Sequence, residues 1–285
     1  MKERVHASQP GWLSSKTNAV WRRVVFFLGD LKKLNAFPWF TWAQHEYLVP
    51  FEEILPALAL IKYGDIGLHR AKGYLSNVFI PGFMKHAWIH VQDGVEKPEI
   101  VEALSEGVLR RSAIHPMHSD YTIILTPRET AEVTDEQRKG ACLKAKQIEG
   151  VRYDDRFQFN IEQELQYYQG TQVDEARQHL DIGKEQMRHY NIAFSCTEVV
   201  AYAWWHQRET LGISRQSYKG KTVILADTFL NKNWRIKWAS NSVTVDLARK
   251  MKLSEERVSL IEEYRQSKPV GHEPFSTAVL KQLRV

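Results

Sequence analysis

Short apolar runs of strand-forming residues follow one another from Tyr63 onward, and turn residues separate them. Isoleucine, valine and aromatic residues in runs of this length are typical of β-strands, and Gly, Asp and Pro at their ends are typical of turns. Because the runs are close in sequence, we expect the simplest arrangement, an antiparallel meander. The predicted strands are Gly64–Leu68, entered through a turn, His86–Val91, Ile100–Leu104 and Tyr121–Thr126, with another strand further on at Trp234–Ala239.

Helical patterns follow the fourth strand. Thr134 with Gln137 three residues later forms a capping box, which is typical of a helix start, and Gly150 is a typical helix end. Ser195 and Glu198 repeat the capping box, and apolar residues then recur at helical spacing. The predicted helical segments are Thr134 to Ile148, a polar insertion over residues 161–190, a helix that opens at Ser195, and Ser254 to Gln266.

The order of these elements predicts an α+β protein with three segments. Residues 1–62 form an N-terminal aromatic-rich extension, residues 63–240 the core domain, and residues 241–285 a basic helical tail. The extension has too many large aromatic residues to leave in water, so we expect it to pack on the core or to form, in part, a patch for a membrane or partner. The insertion 161–190 is a candidate lid. The aromatic residues of the extension include Trp21, Phe26, Phe27, Phe37, Trp39, Phe40 and Trp42.

The composition excludes several classes of protein. Hydrophobic residues make up 43% and charged residues 26% of the 285 residues, which is ordinary for a globular chain and unlike disordered or collagen-like sequences. No apolar run reaches the ~18 residues of a membrane-spanning helix, and the N-terminus lacks the features of a secretory signal. Two cysteines are too few for a disulfide framework or a cysteine-based zinc site, so we expect a reducing, cytoplasmic location.

The net charge of +5 is unevenly distributed along the chain. Residues 1–63 carry +3, residues 64–206 carry −5 and residues 207–285 carry +7. Basic ends favour contact with an anionic surface, although solvated helix faces explain the same pattern. No zinc-finger, basic-zipper or RNA-binding signature occurs, so we expect no nucleic acid partner and keep peripheral membrane contact as an open alternative.

The two cysteines occupy different kinds of position. Cys142 lies inside an amphipathic helix, where a cysteine usually contributes to packing. Cys196 falls in the first turn of a helix, directly after the capping Ser195. Backbone N–H groups and the positive end of the helix dipole favour a thiolate there, and a thiolate is the nucleophile of a cysteine hydrolase. A small buried residue at a helix start is the alternative interpretation.

A nucleophilic cysteine needs a base, and the chain has eleven histidines. His86 and His90 lie on one face of the same strand, about 13 Å apart at ~3.3 Å per residue, so only one of them can reach Cys196. Spacing alone does not choose between these two and the other candidates, His115, His118 and His206.

A third polar group is expected to orient the imidazole. Glu102 is a candidate, because it is a lone charge within the otherwise apolar strand Ile100–Leu104. The same position would suit a solvent-facing side chain on a half-exposed strand, and the strand pattern does not separate these two interpretations.

Six short motifs occur in one order along the chain: Gly64-Asp65-Ile66, Ile80-Pro81-Gly82, His86-Ala87-Trp88-Ile89, Val101-Glu102-Ala103, Tyr153-Asp154-x-x-Phe157 and Phe194-Ser195-Cys196-Thr197-Glu198. Together they resemble the circularly permuted papain-like cysteine hydrolases of the YiiX/YebB-like group. That group is related to the NlpC-type cell-wall peptidases and to lecithin retinol acyltransferase, and in its permuted members the histidine strand precedes the cysteine helix, as it does here. The resemblance covers about residues 63–240 and implies a permuted papain-like fold, with the antiparallel sheet packed against the cysteine-bearing helix.

The resemblance also implies roles for individual residues. It assigns Cys196 as nucleophile, His86 as general base in preference to His90, and Glu102 as the group that orients the imidazole. Tyr153 and Ser195 are implied at the oxyanion or substrate-binding part of the site, and the Cys196 N–H is a plausible oxyanion donor. No metal or organic cofactor is implied. Lys85, directly before the histidine, departs from the small or polar residue usual in such motifs, and strand alternation predicts that it faces away from His86.

The expected activity is cleavage of an amide bond through a covalent acyl-enzyme. By family analogy the substrate would be a small peptide, amide or acyl compound, such as a peptide or cell-wall fragment. A lipid-acting acyl hydrolase or acyltransferase at an anionic membrane is one alternative, suggested by the aromatic extension and the basic ends. A non-catalytic binding module with the same fold is another.

Overall fold

The computed structural model describes residues 31–33, 40–42, 48–72, 80–92, 98–154, 193–218 and 221–267. The chain divides into two compact units, one made of residues 1–45 and 72–80 and the other of residues 46–71 and 81–285. In the first unit, two short strands pair antiparallel; they are β1 (Leu31–Lys33) and β2 (Phe40–Trp42). The fold and the candidate site described below lie in the second unit.

A six-stranded sheet forms the centre of the second unit, and every neighbouring pair of its strands is antiparallel. Together with the surrounding helices it makes an α+β architecture, as the sequence predicts. In sheet order the strands are β12 (Trp234–Ala239), β7 (Tyr121–Pro127), β3 (Ile66–Arg70), β4 (His86–His90), β5 (Glu99–Leu104) and β6 (Gly107–Ser112).

The predicted meander is right for β3, β4 and β5, but it is wrong for the fourth predicted strand. β6 follows β5 through a two-residue turn and forms the edge of the sheet. β7 does not continue from β6; it returns to pair with β3 on the opposite side. The sequence analysis missed β6 because Arg110 and Arg111 interrupt its apolar pattern.

Helices cover both faces of the sheet, and the strand residues alternate between two buried clusters. Trp88 belongs to one of these clusters, whereas its neighbours Ala87 and Ile89 belong to the other. This alternation is the one expected of a strand with a helix layer on each side. Among the described residues, α1 (Phe51–Leu60) and α2 (Ile114–Met117) cover the cluster that contains Trp88, and α3 (Asp135–Gln147) and α4 (Cys196–Ala203) cover the other.

Both predicted capping boxes are confirmed. In α3 the Gln137 N–H donates to Thr134 Oγ1 at 3.2 Å, and the Thr134 N–H donates to Gln137 Oε1 at 2.9 Å. Ser195 is the N-cap of α4 in a second capping box with Glu198. Satisfying the free N–H groups of the first turn fixes where each helix begins. For α4, this fixes Cys196 as the first helical residue.

The remaining elements connect these layers. The chain before the 161–190 insertion pairs in parallel with the chain that enters α4, with Tyr153 opposite Phe194. The predicted strand at Trp234–Ala239 and the predicted C-terminal helix are confirmed. Within the described residues, these elements are β8 (Arg152–Tyr153), β9 (Ala193–Phe194), the antiparallel pair β10 (Gln216–Tyr218) and β11 (Lys221–Val223), α5 (Val245–Lys250), α6 (Glu255–Ser267), and short 3-10 helices at Glu129–Ala131, Trp205–Gln207 and Ala226–Phe229.

Two predictions fall wholly or largely outside the described residues. The helical insertion at residues 161–190 is one, and the packing of residues 1–62 on the core is the other, since only short parts of that extension are described. In the described part of the chain, none of the helices combines the length and apolar character needed to cross a membrane.

Gly67 provides a test of how the sheet packs. It lies opposite Trp88 in the β3–β4 ladder, and a Cβ at this position would lie 2.0 Å from the indole ring. We expect Gly67→Ala to lower the free energy of unfolding by about 1–3 kcal/mol, because the large ring would have to move within a packed core. Urea unfolding followed by circular dichroism would measure the change.

Gly140→Ala is the matched control. Gly140 lies within α3, and nothing lies within 4 Å of a Cβ placed there. The substitution should therefore raise the free energy of unfolding by about 0.5–1 kcal/mol through helix propensity. Unchanged stability of Gly67→Ala would contradict the position of the indole over Gly67.

Candidate active site

Cys196 lies at the N-terminus of α4, in the part of the helix where backbone N–H groups have no partners within the helix. The Ser195 N–H donates to Glu198 Oε2 at 2.6 Å, which holds the chain in the conformation that starts the helix. The N–H groups of Thr197 and Ala87 donate to the Cys196 sulfur. The sulfur therefore receives hydrogen bonds both from its own helix and from β4.

The Ala87 N–H is available because β4 and β5 separate at this point. The described ladder between the two strands has two residue pairs, both in the carboxyl half of β4. Just beyond them, the Val91 N–H donates to Glu99 O on β5. Alternate N–H groups of a strand point to the same side, so the Ala87 N–H also points toward β5, where no β5 residue pairs with it. The Cys196 sulfur accepts this hydrogen bond instead.

His86 and Glu102 form the second part of the site. His86 is the first residue of β4 and Glu102 lies in β5. His86 Nε2 and Glu102 Oε2 are 2.6 Å apart, and the Glu102 side chain is completely buried. Because Nε2 faces the carboxylate, Nδ1 is the ring nitrogen left for the hydrogen bond between His86 and Cys196. The structure thus brings the three predicted catalytic residues together in one connected chain.

Arg111 completes the chain on the far side of Glu102. Its Nε donates to Glu102 Oε1, the oxygen that does not face His86. Burial alone would raise the pKa of Glu102, but the hydrogen bond and charge of His86 and the charge of Arg111 lower it to about 2. The carboxylate therefore stays ionised. The sequence analysis missed Arg111 because it lies in β6, and only the pairing of β5 with β6 brings it to Glu102.

The cysteine and the histidine shift each other's protonation. Burial alone would raise the pKa of the Cys196 thiol, but the charge of His86 and the hydrogen bonds to the sulfur lower it. Burial alone would lower the pKa of His86, but the Cys196 sulfur and the Glu102 carboxylate raise it. These opposite shifts favour a thiolate and an imidazolium over two neutral groups. The relative exposure of Cys196 is 6% and that of the His86 side chain is 15%, so the pair is mostly shielded from water.

Glu198 is a second buried acid beside the cysteine, and the sequence analysis treated it only as a cap. Burial raises the pKa of Glu198 to about 8, and the nearby charge of Asp154 acts in the same direction. The Cys196 sulfur contributes to the shift as well. At neutral pH, Glu198 is therefore mainly protonated, so it caps the helix without adding a negative charge next to the thiolate.

The other residues implied at the site lie in or beside the chain segment that enters α4. Tyr153 pairs with Phe194 in the β8–β9 ladder, and Phe194 lies two residues before Cys196 in the chain. Ser195 is buried, and its Oγ lies 3.4 Å from Thr197 Oγ1. The roles of Tyr153 and Ser195 at an oxyanion or substrate site stay predictions.

The alternative histidines do not join this chain. His90 is completely buried and accepts a hydrogen bond from Trp88 Nε1 at 3.0 Å, and burial lowers the pKa of His90 to about 4. It is therefore a neutral core residue. His115, His118 and His206 lie in or beside other short helices, in α2 and in the 3-10 turn after α4.

Lys85 belongs to a separate electrostatic environment, although it precedes His86. Burial, and then Arg70, lower the pKa of Lys85 to about 8, while Asp227 acts in the opposite direction. Asp227 accepts the N–H groups of Phe83 and Met84 at 2.6 Å and 2.7 Å. These two bonds anchor the chain that leads into His86. In the described ranges, no group of three or more His, Cys, Asp or Glu side chains is arranged to hold a metal ion.

Comparison of the chain with protein-family models, curated proteins and solved structures found no match. The resemblance to permuted papain-like hydrolases therefore rests on the sequence motifs and stays a prediction.

The lowered thiol pKa predicts selective alkylation of Cys196. A thiolate reacts with iodoacetamide and a thiol does not, so Cys196 should be labelled at a pH well below the usual thiol pKa of about 8.5. Cys142 is as buried as Cys196, but its S–H donates to His90 O at 3.3 Å, which favours the thiol, so Cys142 should react slowly. Mass spectrometry of the two cysteine peptides over a pH series would measure both rates.

His86→Ala is the informative variant for that measurement. Removal of the imidazole should move the labelling profile of Cys196 toward higher pH, because the positive charge that lowers the thiol pKa is lost. His115→Ala, an exposed histidine in α2, is the control and should leave the profile unchanged. An ordinary thiol profile in the unaltered protein would contradict the ion pair.

The raised pKa of Glu198 predicts a pH dependence of stability. Its pKa is about 8 in the folded chain and 4.5 as the reference value, so the folded state holds this proton more tightly. The contribution is complete below about pH 4.5 and is lost as the pH rises toward about 8. We expect Glu198→Gln to lose less stability between pH 5 and pH 8 than the unaltered protein does, as measured by urea unfolding.

Glu255→Gln, at an exposed position in α6, is the control for that comparison. It keeps the titration of Glu198 and should reproduce the pH dependence of the unaltered protein. Identical pH dependence in Glu198→Gln would show that Glu198 is already ionised at neutral pH.

Proposed function

We propose that this chain is a cysteine-dependent hydrolase that cleaves an amide bond through a covalent acyl-enzyme. In this proposal Cys196 is the nucleophile, His86 the general acid and base, and Glu102 the group that orients His86. The observation that carries the proposal is the 2.6 Å contact of the buried Glu102 carboxylate with His86, together with the opposite pKa shifts of His86 and of a cysteine at a helix N-terminus. Nucleophile, base and orienting acid in hydrogen-bond contact are the arrangement that nucleophilic catalysis requires.

The burial of Glu102 supports the catalytic interpretation over a binding module. A completely buried carboxylate is costly unless it is paired, and here its two oxygens are used by His86 and Arg111. A hydrophobic residue would fill the same space in a protein that needed only the fold. The charge pattern is instead the one that keeps His86 protonated and Cys196 ionised.

The proposed reaction begins with the thiolate–imidazolium pair. The Cys196 sulfur attacks the substrate carbonyl carbon, and the carbonyl electrons move onto oxygen. As the tetrahedral intermediate collapses, the bond to nitrogen breaks and His86 gives its proton to the leaving amine. A water molecule then attacks the thioester carbonyl and passes a proton to the neutral imidazole. Release of the carboxylic acid restores the thiolate and the protonated histidine.

The first turn of α4 supplies the proposed oxyanion donors. The Cys196 N–H belongs to the N-terminal turn, whose N–H groups and dipole favour negative charge. A carbonyl bound to Sγ would hold its oxygen near this N–H group. Tyr153 is the proposed side-chain contributor from β8, because its strand runs beside the residues that enter the helix.

A permuted papain-like fold is part of the proposal. The histidine strand precedes the cysteine helix in the chain, and the helix packs on one face of an antiparallel sheet. A small peptide or cell-wall fragment is the proposed substrate class, by analogy with that family. An ester of a lipid would be cleaved by the same steps, and the aromatic extension that suggested it lies mainly outside the described residues.

The acyl-enzyme can be trapped and weighed. A p-nitrophenyl ester should acylate Cys196 with release of p-nitrophenol, and the intact mass should rise by the mass of one acyl group. Cys196→Ala should lose the adduct, and its hydrolysis rate should fall by about 10³-fold or more, because the covalent route is removed. An aminoacyl amidomethylcoumarin panel and a phospholipid panel would then separate amide from lipid substrates.

Cys142→Ala is the control for the same assay, because Cys142 is the second cysteine and packs in the core. It should keep both the adduct and the turnover. Hydrolysis that persists unchanged in Cys196→Ala would disprove the proposed mechanism.

A further inference from the structure

His69 lies against the proposed base, although neither the sequence motifs nor the reaction steps include it. It is the residue of β3 that pairs with His86 of β4 in the ladder. The two ring centroids are 4.8 Å apart and the ring planes are inclined by 31°. The two rings are tilted relative to each other, at a centroid distance within the range in which aromatic rings attract each other. The His86 imidazole therefore packs directly against another ring.

Trp88 lies beside both histidine rings, and its ring centroid is 6.5 Å from that of His86. The centroids of the Trp88 and His69 rings are 5.4 Å apart, and Trp88 lies next but one to His86 on the same face of β4. The indole takes its position over β3 because Gly67 has no Cβ; a Cβ there would lie 2.0 Å from the ring. The missing side chain of Gly67 thus lets Trp88 pack beside His69 and His86.

His69 contributes a ring surface here and not a hydrogen bond through Nδ1. Within the described residues, its Nδ1 is buried and has no hydrogen-bond partner. Burial, and then the charge of His86, lower the pKa of His69 to about 3. The charged groups that act on it are His86 on β4, Glu102 on β5 and Arg111 on β6. His69 therefore stays neutral beside the imidazolium at any working pH.

We propose that His69 is a positioning residue that holds the His86 imidazole in line between Glu102 and Cys196. The His86 ring must point Nε2 at a carboxylate and Nδ1 at a sulfur, so rotation of the ring would break one or both contacts. With a hydrogen bond at each end, the His86 ring can still rotate about the line that joins the two partners, and the adjacent ring of His69 restricts that rotation. A neutral ring does so without repelling the imidazolium.

This inference rests on the proposed function, because it concerns the base of that reaction, and it predicts which replacements succeed. Phenylalanine supplies a flat neutral ring of similar size, so His69→Phe should retain the alignment of His86. Alanine removes the surface, so His69→Ala should let the imidazole tilt away from the sulfur. A tilted imidazolium stabilises the thiolate less, and the alkylation profile of Cys196 should then move to higher pH.

The experiment is the pH dependence of iodoacetamide labelling at Cys196, read by mass spectrometry in the full chain and its variants. In His69→Ala the midpoint of the labelling profile should rise by about one pH unit, which is a tenfold change in the ionisation constant of the thiol. His69→Phe should keep the profile of the unaltered protein. His115→Ala, an exposed histidine, is the matched control. Circular dichroism of each variant would identify any that fails to fold.

The outcomes separate this inference from the proposed function. An activated Cys196 in the unaltered protein, together with an unchanged profile in folded His69→Ala, would overturn the positioning role alone. A shifted profile in His69→Phe equal to that in His69→Ala would also overturn it, because the ring surface would then not be what matters. An ordinary thiol profile in the unaltered protein would instead contradict the thiolate–imidazolium pair itself. If His69→Ala does not fold, the His69→Phe comparison decides.

Discussion

The buried carboxylate of Glu102 is the constraint on which the candidate site depends. A negative charge with no exposure to water must be matched by donors on both oxygens, or it becomes protonated. Arg111 supplies one donor and His86 the other. Because the arginine and the glutamate lie on paired strands, the β5–β6 hairpin holds the carboxylate through a contact that does not involve the histidine. The orientation of the imidazole is thus set by sheet pairing.

The other end of the imidazole depends on a local break in that pairing. Where β4 and β5 separate, the Ala87 N–H is left without a strand partner, and the first turn of α4 has free N–H groups of its own. The Cys196 sulfur satisfies donors from both elements. A thiolate accepts such hydrogen bonds better than a thiol does, so these N–H groups also favour the ionised form of Cys196. A protonated Glu198 avoids the opposing charge that an ionised cap would add.

The sequence allowed much of this arrangement to be predicted, and the failures have physical reasons. Capping boxes depend on residues three apart, so both helix starts could be placed correctly, including the one that carries Cys196. Glu102 could be singled out as a lone charge in an apolar strand, but its partner Arg111 could not. The pairing of β7 with β3 is a long-range contact that local patterns do not record, and the predicted meander is wrong there.

The position of His69 beside His86 could not be predicted from local sequence patterns either. A histidine near the end of a strand carries no local signal, and its relation to His86 follows from the register of β3 against β4. The register is in turn constrained by Gly67, which must lie beneath the Trp88 indole. A one-residue slip would put a side chain under that ring and turn His69 to the opposite face. The packing requirement of one tryptophan therefore fixes both the sheet register and the surroundings of the proposed base, so stability and chemistry share a single constraint.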